Sequence, residues 1–212
     1  MNLKSNILII LNGEIISDID LSFYSKIFPV DGGGEYLKNY SIIPDIMIGD
    51  FDSISKNTLD YFKKNNTKII SYPSKKDYSD LELTLYYISE NYNNINIDVI
   101  GCFSDTRIDH FLVNLEVFAR FADKFTFNII DKRFKQIISS KNINIECIKN
   151  VPISILSMSD KCIFEKSTGL EYNLKNITIE RFSSKGLSNK TKTSRITVVI
   201  REGIFSIILP AG

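Results

Sequence analysis

Short, unbroken apolar runs that stop at an acidic residue or a glycine set the pattern of the first two-thirds of the chain. The runs are Asn6–Leu11, Ile27–Val30, Ile46–Ile48, Lys68–Ser71, Ile95–Ile100 and Phe125–Ile130. A strand that is apolar at every position has no solvent face, so it must be buried on both sides. Helical patterns lie between the runs. Ser55–Asn65 starts at a serine cap, and Asp80–Asn91 opens on an acidic residue suited to a helix N-terminus. Arg107–Phe121 repeats Ile108, Phe111, Leu112, Leu115 and Phe118 along one face. Strands alternating with helices predict an α/β domain with a mostly parallel sheet covered on both faces.

From about Lys135 the pattern changes to short strands and turns. Strands are expected at Gln136–Ser139, Ile143–Ile148, Ile153–Ser157, Cys162–Phe164, Ile177–Phe182, Ser194–Ile200 and Ile204–Leu209. Arg201-Glu202-Gly203 reads as a tight hairpin turn between the last two. Strands without helices suggest a small C-terminal β-sandwich. The junction is expected near Asp131–Lys135, giving domains 1–133 and 134–212.

With 212 residues the chain can bury a substantial core, and 43% hydrophobic with 24% charged residues is ordinary globular composition. The net charge of +1 offers no field for nucleic acid or an anionic membrane, and neither partner is expected. An anionic ligand must be held by local chemistry. Cys102, Cys147 and Cys162 have no CxxC spacing, which fits buried thiols in a reducing compartment better than disulfides or structural zinc. The first apolar run is too short for a signal-peptide core, and no stretch approaches the length of a membrane span, so a cytoplasmic location is expected.

Acidic residues recur at strand ends. Asp31 follows the second strand, Asp50 and Asp52 the third, and Asp77 and Asp80 the fourth. In an open parallel sheet, ligands bind beyond the carboxyl ends of the strands. Five carboxylates brought to one edge repel each other unless a cation joins them. Hard oxygen ligands suit Mg²⁺, which keeps several waters and bridges to phosphate. Asp50-Phe51-Asp52 is the centre of this candidate metal site.

Asp31-Gly32-Gly33-Gly34 is a sharp turn whose small residues let backbone N–H groups approach an anion. It matches neither GxGxxG nor a Walker sequence. Further on, Gly101 to His110 leads from a strand into a helix. A helix start attracts phosphate, and Arg107 adds a fork of donors. Arg107, His110 (the sole histidine) and Asn114 share one helical face. Lys185-Gly186-Leu187-Ser188-Asn189 reads as a polar turn, by default a hairpin loop.

Together these segments resemble the thiamine pyrophosphokinase family. The likeness runs in order through Asp31-Gly32-Gly33, Pro44-Asp45, Ile48-Gly49-Asp50-Phe51-Asp52-Ser53, Lys76-Asp77-Tyr78-Ser79-Asp80-Leu81-Glu82, Arg107-Ile108-Asp109-His110 with Asn114, and Gly186-Leu187-Ser188-Asn189. The resemblance implies a three-layer α/β domain followed by a β-sandwich, working as a homodimer. It implies that ATP and thiamine give thiamine diphosphate and AMP. It places Mg²⁺ and the triphosphate on Asp31, Asp50, Asp52, Asp77 and Asp80. It gives Arg107, Asp109, His110 and Asn114 to the phosphate side and Ser188 and Asn189 to thiamine. The chain departs from the family at Asp105-Thr106, where glycines are usual, and it has no Trp.

The implied reaction is in-line attack of the thiamine hydroxyl on the β-phosphorus of ATP, with Mg²⁺ neutralising charge. A rim carboxylate, Asp52 or Asp80, would accept the hydroxyl proton; sequence leaves ligand and base open. An Asp-x-Asp segment also serves phosphohydrolases and nucleotide-sugar transferases, and a non-catalytic nucleotide- or thiamine-binding module is a third reading. A covalent aspartyl-phosphate hydrolase would want Asp-x-Asp after the first strand, not the third.

Overall fold

The computed structural model describes residues 7–15, 19–93 and 95–211, so the Asn6 end of the first expected strand lies outside the described residues. The chain forms two compact units that divide between Val117 and Phe118.

The first unit follows the expected alternation. Its strands are β1 (Ile7–Ile10), β2 (Lys26–Pro29), β3 (Ile46–Gly49), β4 (Lys68–Ser71) and β5 (Asn96–Ile100). Its helices are α1 (Gly33–Asn39), α2 (Lys56–Lys64), α3 (Asp80–Asn91) and the first part of α4 (Ile108–Arg120). β1 lies between β2 and β5 and is parallel to both. β3 pairs in parallel with β4, and a parallel bridge joins Val30 to Ile48. Every residue of β1 is at most 1% exposed, as a two-sided strand requires. β4 departs from that pattern: its ends are exposed and its middle is half-buried, as on a sheet edge.

The helices start where the sequence provides a cap. Ser55 accepts a hydrogen bond from the Thr58 N–H, and Ser79 accepts one from the Glu82 N–H. Each cap satisfies a donor the helix cannot, worth about 1 kcal/mol. Leu81, Leu85 and Ile88 then fix the buried face of α3.

Helix α1 begins inside the glycine run that reads as a turn. Three glycines hide it, because glycine is a poor helix former. Packing supplies the reason: a Cβ on Gly33 would stand 2.1 Å from the Ile10 carbonyl oxygen. The helix can start that close to β1 only without a side chain there. Leu37, fully buried, completes the attachment.

The second unit is antiparallel. Its strands are β6 (Thr126–Ile130), β7 (Phe134–Ser139), β8 (Ile143–Glu146), β9 (Pro152–Ser157), β10 (Lys161–Thr168), β11 (Ile177–Glu180), β12 (Asn189–Lys190), β13 (Arg195–Glu202) and β14 (Phe205–Pro210). One layer runs β12-β9-β14-β7-β6 and the other β11-β10-β13-β8. Ile155, Phe164, Ile196, Val198, Phe205 and Ile207 belong to one buried cluster, and Phe164 meets Phe205 edge-on at 5.6 Å.

Two turns are not the hairpins that the sequence suggests. β13 pairs with β10 and β8, whereas β14 pairs with β7 and β9. Arg201-Glu202-Gly203 therefore carries the chain from one layer to the other, with Gly203 at φ +102°. Likewise Lys185–Asn189 leads from β11, paired with β10, to β12, paired with β9. Compactness also assigns β6 to the second unit, upstream of the junction expected near residue 133. β6 pairs with β7, and Phe127 packs against both Phe118 and Phe125.

Helix α4 buries Val117 and Phe118, but Ile108, Leu112 and Val113 are each about half exposed or more. Its expected apolar face is thus buried only toward the C-terminal end.

Candidate active site

The rim is built at strand ends and one helix start. β2 delivers Asp31, β3 delivers Asp50 and Asp52, and α3 begins at Asp80. The backbone is in uncommon conformations here. Asp31 has φ +51° and Phe51 has φ +63°, the left-handed region that a bulky residue avoids. Gly49 has φ +153°, and a Cβ there would stand 3.1 Å from the Asp80 carboxyl carbon. Glycine at this position leaves space for the Asp80 carboxyl group.

Asp31, Asp50 and Asp52 each offer a carboxylate oxygen, and these oxygens lie within 4.8 Å of one another. Backbone and serine donors hold them. The Asp52 N–H donates to Asp50 Oδ1 at 3.2 Å, and the Ser53 N–H to Asp31 Oδ1 at 3.3 Å. Ser53 Oγ donates to Asp52 Oδ1 at 2.9 Å. Lys76 Nζ lies 2.6 Å from Asp50 Oδ2 and 3.1 Å from Asp80 Oδ1. Asp80 Oδ1 is buried and accepts no hydrogen bond among the described residues, so its ion pair with Lys76 is poorly directed.

The electrostatics follow from this crowding. Burial pushes the Asp31 carboxyl upward, Ser53 opposes, and the charges of Asp52 and Asp50 add to the rise. Burial likewise raises Asp80, against Lys76, and the Asp50 charge raises it further. Asp50 goes the other way because the Lys76 ammonium donates to it. The cluster as it stands is short of positive charge.

The rim opens on a cavity of about 540 Å³ whose wall includes Asp31, Asp50, Asp52, Lys76 and Asp80. Arg107, His110 and Asn114 line the same cavity. Hydrogen-bond donors and a dense carboxylate cluster thus share one space, of a size that takes a nucleotide-sized ligand.

Not every expected residue is on that wall. Asp77 is exposed and lies off the cavity wall, because it sits in the loop between β4 and α3 and that loop turns it to solvent. The expected five-carboxylate rim is therefore four. Gly32 and Gly33 sit behind the rim, and the Gly33 N–H is used by the Val30 carbonyl. Asp109 also lies off the wall and takes both Nε and Nη2 of Arg107, at 3.0 and 2.9 Å. The Arg107 guanidinium lowers the Asp109 carboxyl to about 2. Arg107 also touches His110 Nε2. Of the Asp105–Thr106 pair, Thr106 lines the cavity and Asp105 is exposed away from it.

Ser188 and Asn189 belong to the second unit. Asn189 is buried, and its amide is spent on the Tyr172 backbone, accepting from the N–H at 3.0 Å and donating to the carbonyl at 2.8 Å. Ser188 has φ +57°, and its N–H donates to Ser154 Oγ. Gly186 is forced by contact, since a Cβ there would meet the Ile155 carbonyl at 1.8 Å.

The wall also includes the polar residues Asn12 and Lys76, which the sequence reading does not assign to the site. Asn12 follows β1 and satisfies the same strand-end rule as the aspartates. Lys76, four residues before Asp80, was legible as the cation that clustered carboxylates require.

The model of the thiamin pyrophosphokinase catalytic domain matches residues 22–146. A thiamine pyrophosphokinase of Bacillus subtilis is 31% identical over 184 residues, covering 84% of each chain. Thiamin pyrophosphokinase 1 of Caenorhabditis elegans is 29% identical and covers 97% of this chain and 90% of its own. The crystal structure of the Bacillus subtilis thiamine pyrophosphokinase superposes with a TM-score of 0.78 at 27% identity, over 97% of this chain and 99% of its own. The Candida albicans thiamin pyrophosphokinase shares the fold at a TM-score of 0.80 and 21% identity.

Proposed function

The chain belongs to the thiamin pyrophosphokinase family and has its activity, the making of thiamine diphosphate from thiamine, and we propose that it does so at the carboxylate rim with ATP and Mg²⁺. The observation that carries this reading is the convergence of Asp31, Asp50 and Asp52 beside Asp80 in a cavity that also holds Arg107.

The donor set fits Mg²⁺. Three carboxylates share a few ångströms, and a buried Asp80 oxygen lacks a hydrogen bond among the described residues. Asp31, Asp50, Asp52 and Asp80 would hold the ion. When bound, it supplies neutralisation of the triphosphate oxygens where charge develops.

The chain's own residues do the rest. His110 and Asn114 on α4 and Arg107 just before it face the phosphates, and Arg107 exchanges Asp109 for a phosphate oxygen. The thiamine hydroxyl attacks the β-phosphorus, the bond to the α-phosphate oxygen breaks, and AMP leaves. Asp52 or Asp80 takes the hydroxyl proton. Positioning of the two substrates supplies much of the rate.

Residues 1–133 are the ATP and Mg²⁺ part of this reading and residues 134–212 the thiamine and dimer part, with Ser188 and Asn189 near thiamine. Phe182 (99% exposed) and Leu187 (59%) give the second unit an apolar surface suited to a second copy. Among the described residues no helix is long and apolar enough to cross a membrane, and the proposed place of action is the cytoplasm.

The test is AMP formation with thiamine, ATP and Mg²⁺, omitting each in turn. AMP made only when all three are present is the expected result. Free phosphate made without thiamine, or no turnover at all, would overturn the reading.

A further inference from the structure

Lys76 is bound where a metal ligand set needs to be free. Its Nζ contacts Asp50 Oδ2 at 2.6 Å and Asp80 Oδ1 at 3.1 Å, and only 12% of the side chain is exposed. The other Asp50 oxygen, Oδ1, already accepts from the Asp52 N–H. Both oxygens of Asp50 are therefore engaged, and a cation that takes Oδ2 must compete with Lys76.

Lys76 sits in the segment between β4 and α3, on the cavity wall, rather than within a helix or strand. An ammonium on a four-carbon stem can change partners without a change of fold. Its present partners are anionic. A triphosphate entering the same cavity offers anionic oxygens in exchange.

We propose that Lys76 is the resident counter-ion of the rim: it balances Asp50 and Asp80 before ligands bind, and it moves to the triphosphate when a divalent cation takes its place. This rests on the metal-site reading above and adds a coupling to it. Metal alone must expel Lys76 from a carboxylate pair with nothing in return. Metal together with nucleotide gives Lys76 a new anionic partner. The two ligands therefore bind with positive coupling, and the coupling is reciprocal. An enzyme built this way takes up metal alone only at higher concentration and completes its site when nucleotide arrives. Lys76 becomes both a phosphate-binding group and the element that sets the order of assembly.

The experiment is Mn²⁺ titration of the whole protein, followed by electron paramagnetic resonance, with and without α,β-methylene-ATP, whose own Mn²⁺ affinity is measured separately. Native protein, Lys76→Met, Lys76→Arg and Asp50→Asn are compared, with thermal melting to show that each is folded. Lys76→Gln replaces Lys76→Met if the latter fails to fold. Lys76→Met is expected to bind Mn²⁺ alone about tenfold tighter than native protein, and to lose most of the about tenfold tightening that the analogue gives the native protein. Lys76→Arg, which keeps the cation, retains the coupling. Unchanged or weaker Mn²⁺ binding by Lys76→Met, with Asp50→Asn losing the site, overturns the counter-ion role and leaves the metal site standing. If Asp50→Asn binds Mn²⁺ as native protein does, both the metal site and the counter-ion role fall.

Discussion

Each unit contains an aspartate withdrawn from water, and the two are treated differently. Asp131, 4% exposed, receives the Arg133 N–H and two guanidinium bonds, at 2.8 and 3.0 Å. Burial alone would raise its carboxyl, but Arg133 overrides burial and holds it below the usual range. Asp80, with 12% of its side chain exposed, keeps an oxygen without a hydrogen bond among the described residues, and burial wins over Lys76. Asp31 is raised in the same way. A carboxylate that serves structure is given its partners by the chain. The rim carboxylates are left short of positive charge, which is what a site waiting for a cation requires.

That contrast can be broken at several points, most severely at the rim. Asp50→Asn and Asp80→Asn should each lower turnover by about a hundredfold to a thousandfold or more, with melting temperatures near native. Loss of activity through unfolding would remove the contrast. Asp131→Asn should do the reverse and cost about 1–3 kcal/mol of stability while folded enzyme turns over normally. Denaturant melts with activity measured on the folded fraction check this.

The pH signs are opposite. The Asp131 carboxyl is lowered by folding, so its contribution is fully present above the unfolded value of about 3.9 and is lost as pH falls through the lower folded value. The penalty of Asp131→Asn should therefore fade in acid. The Asp31 carboxyl is raised by folding, so its charge weakens the fold at neutral pH, and that cost disappears below the unfolded value. Asp31→Asn should then melt about 1–3 °C higher than native at pH 7.5 without metal, and not in acid. The smallest effect is expected at exposed Asp77, where Asn should cost at most about tenfold in turnover. A loss equal to that of Asp50→Asn would bring Asp77 back to the rim.

Much of the first unit could be read from the chain because its signals are local. β4 and α3 have the boundaries that an apolar run and an acidic helix start indicate, and Asp31, Asp50, Asp52 and Asp80 converge because strand ends of a parallel sheet share one edge. Helix α1 was hidden because its glycines serve a contact with Ile10 that no local pattern reports. In the second unit every strand except the two-residue β12 is visible in the sequence, but its partner is not. Arg201–Gly203 has the residues of a hairpin turn, and only the pairing of β13 with β10 and of β14 with β9 reveals a crossing between layers. The side to which Asp77 points is equally out of reach, since it depends on loop geometry rather than on residue type, whereas Asp109, inside α4, falls off the face that Arg107, His110 and Asn114 share.

The claim that the rim is short of a cation is tested most directly by the melting temperature of native protein and of Asp50→Asn as Mg²⁺ is raised without nucleotide at pH 7.5. A ligand that binds only the folded state raises the melting temperature with its concentration. Native protein should melt progressively higher as Mg²⁺ increases, and Asp50→Asn should not respond. An equal rise in both proteins, or none in the native protein up to saturating Mg²⁺, would contradict the account.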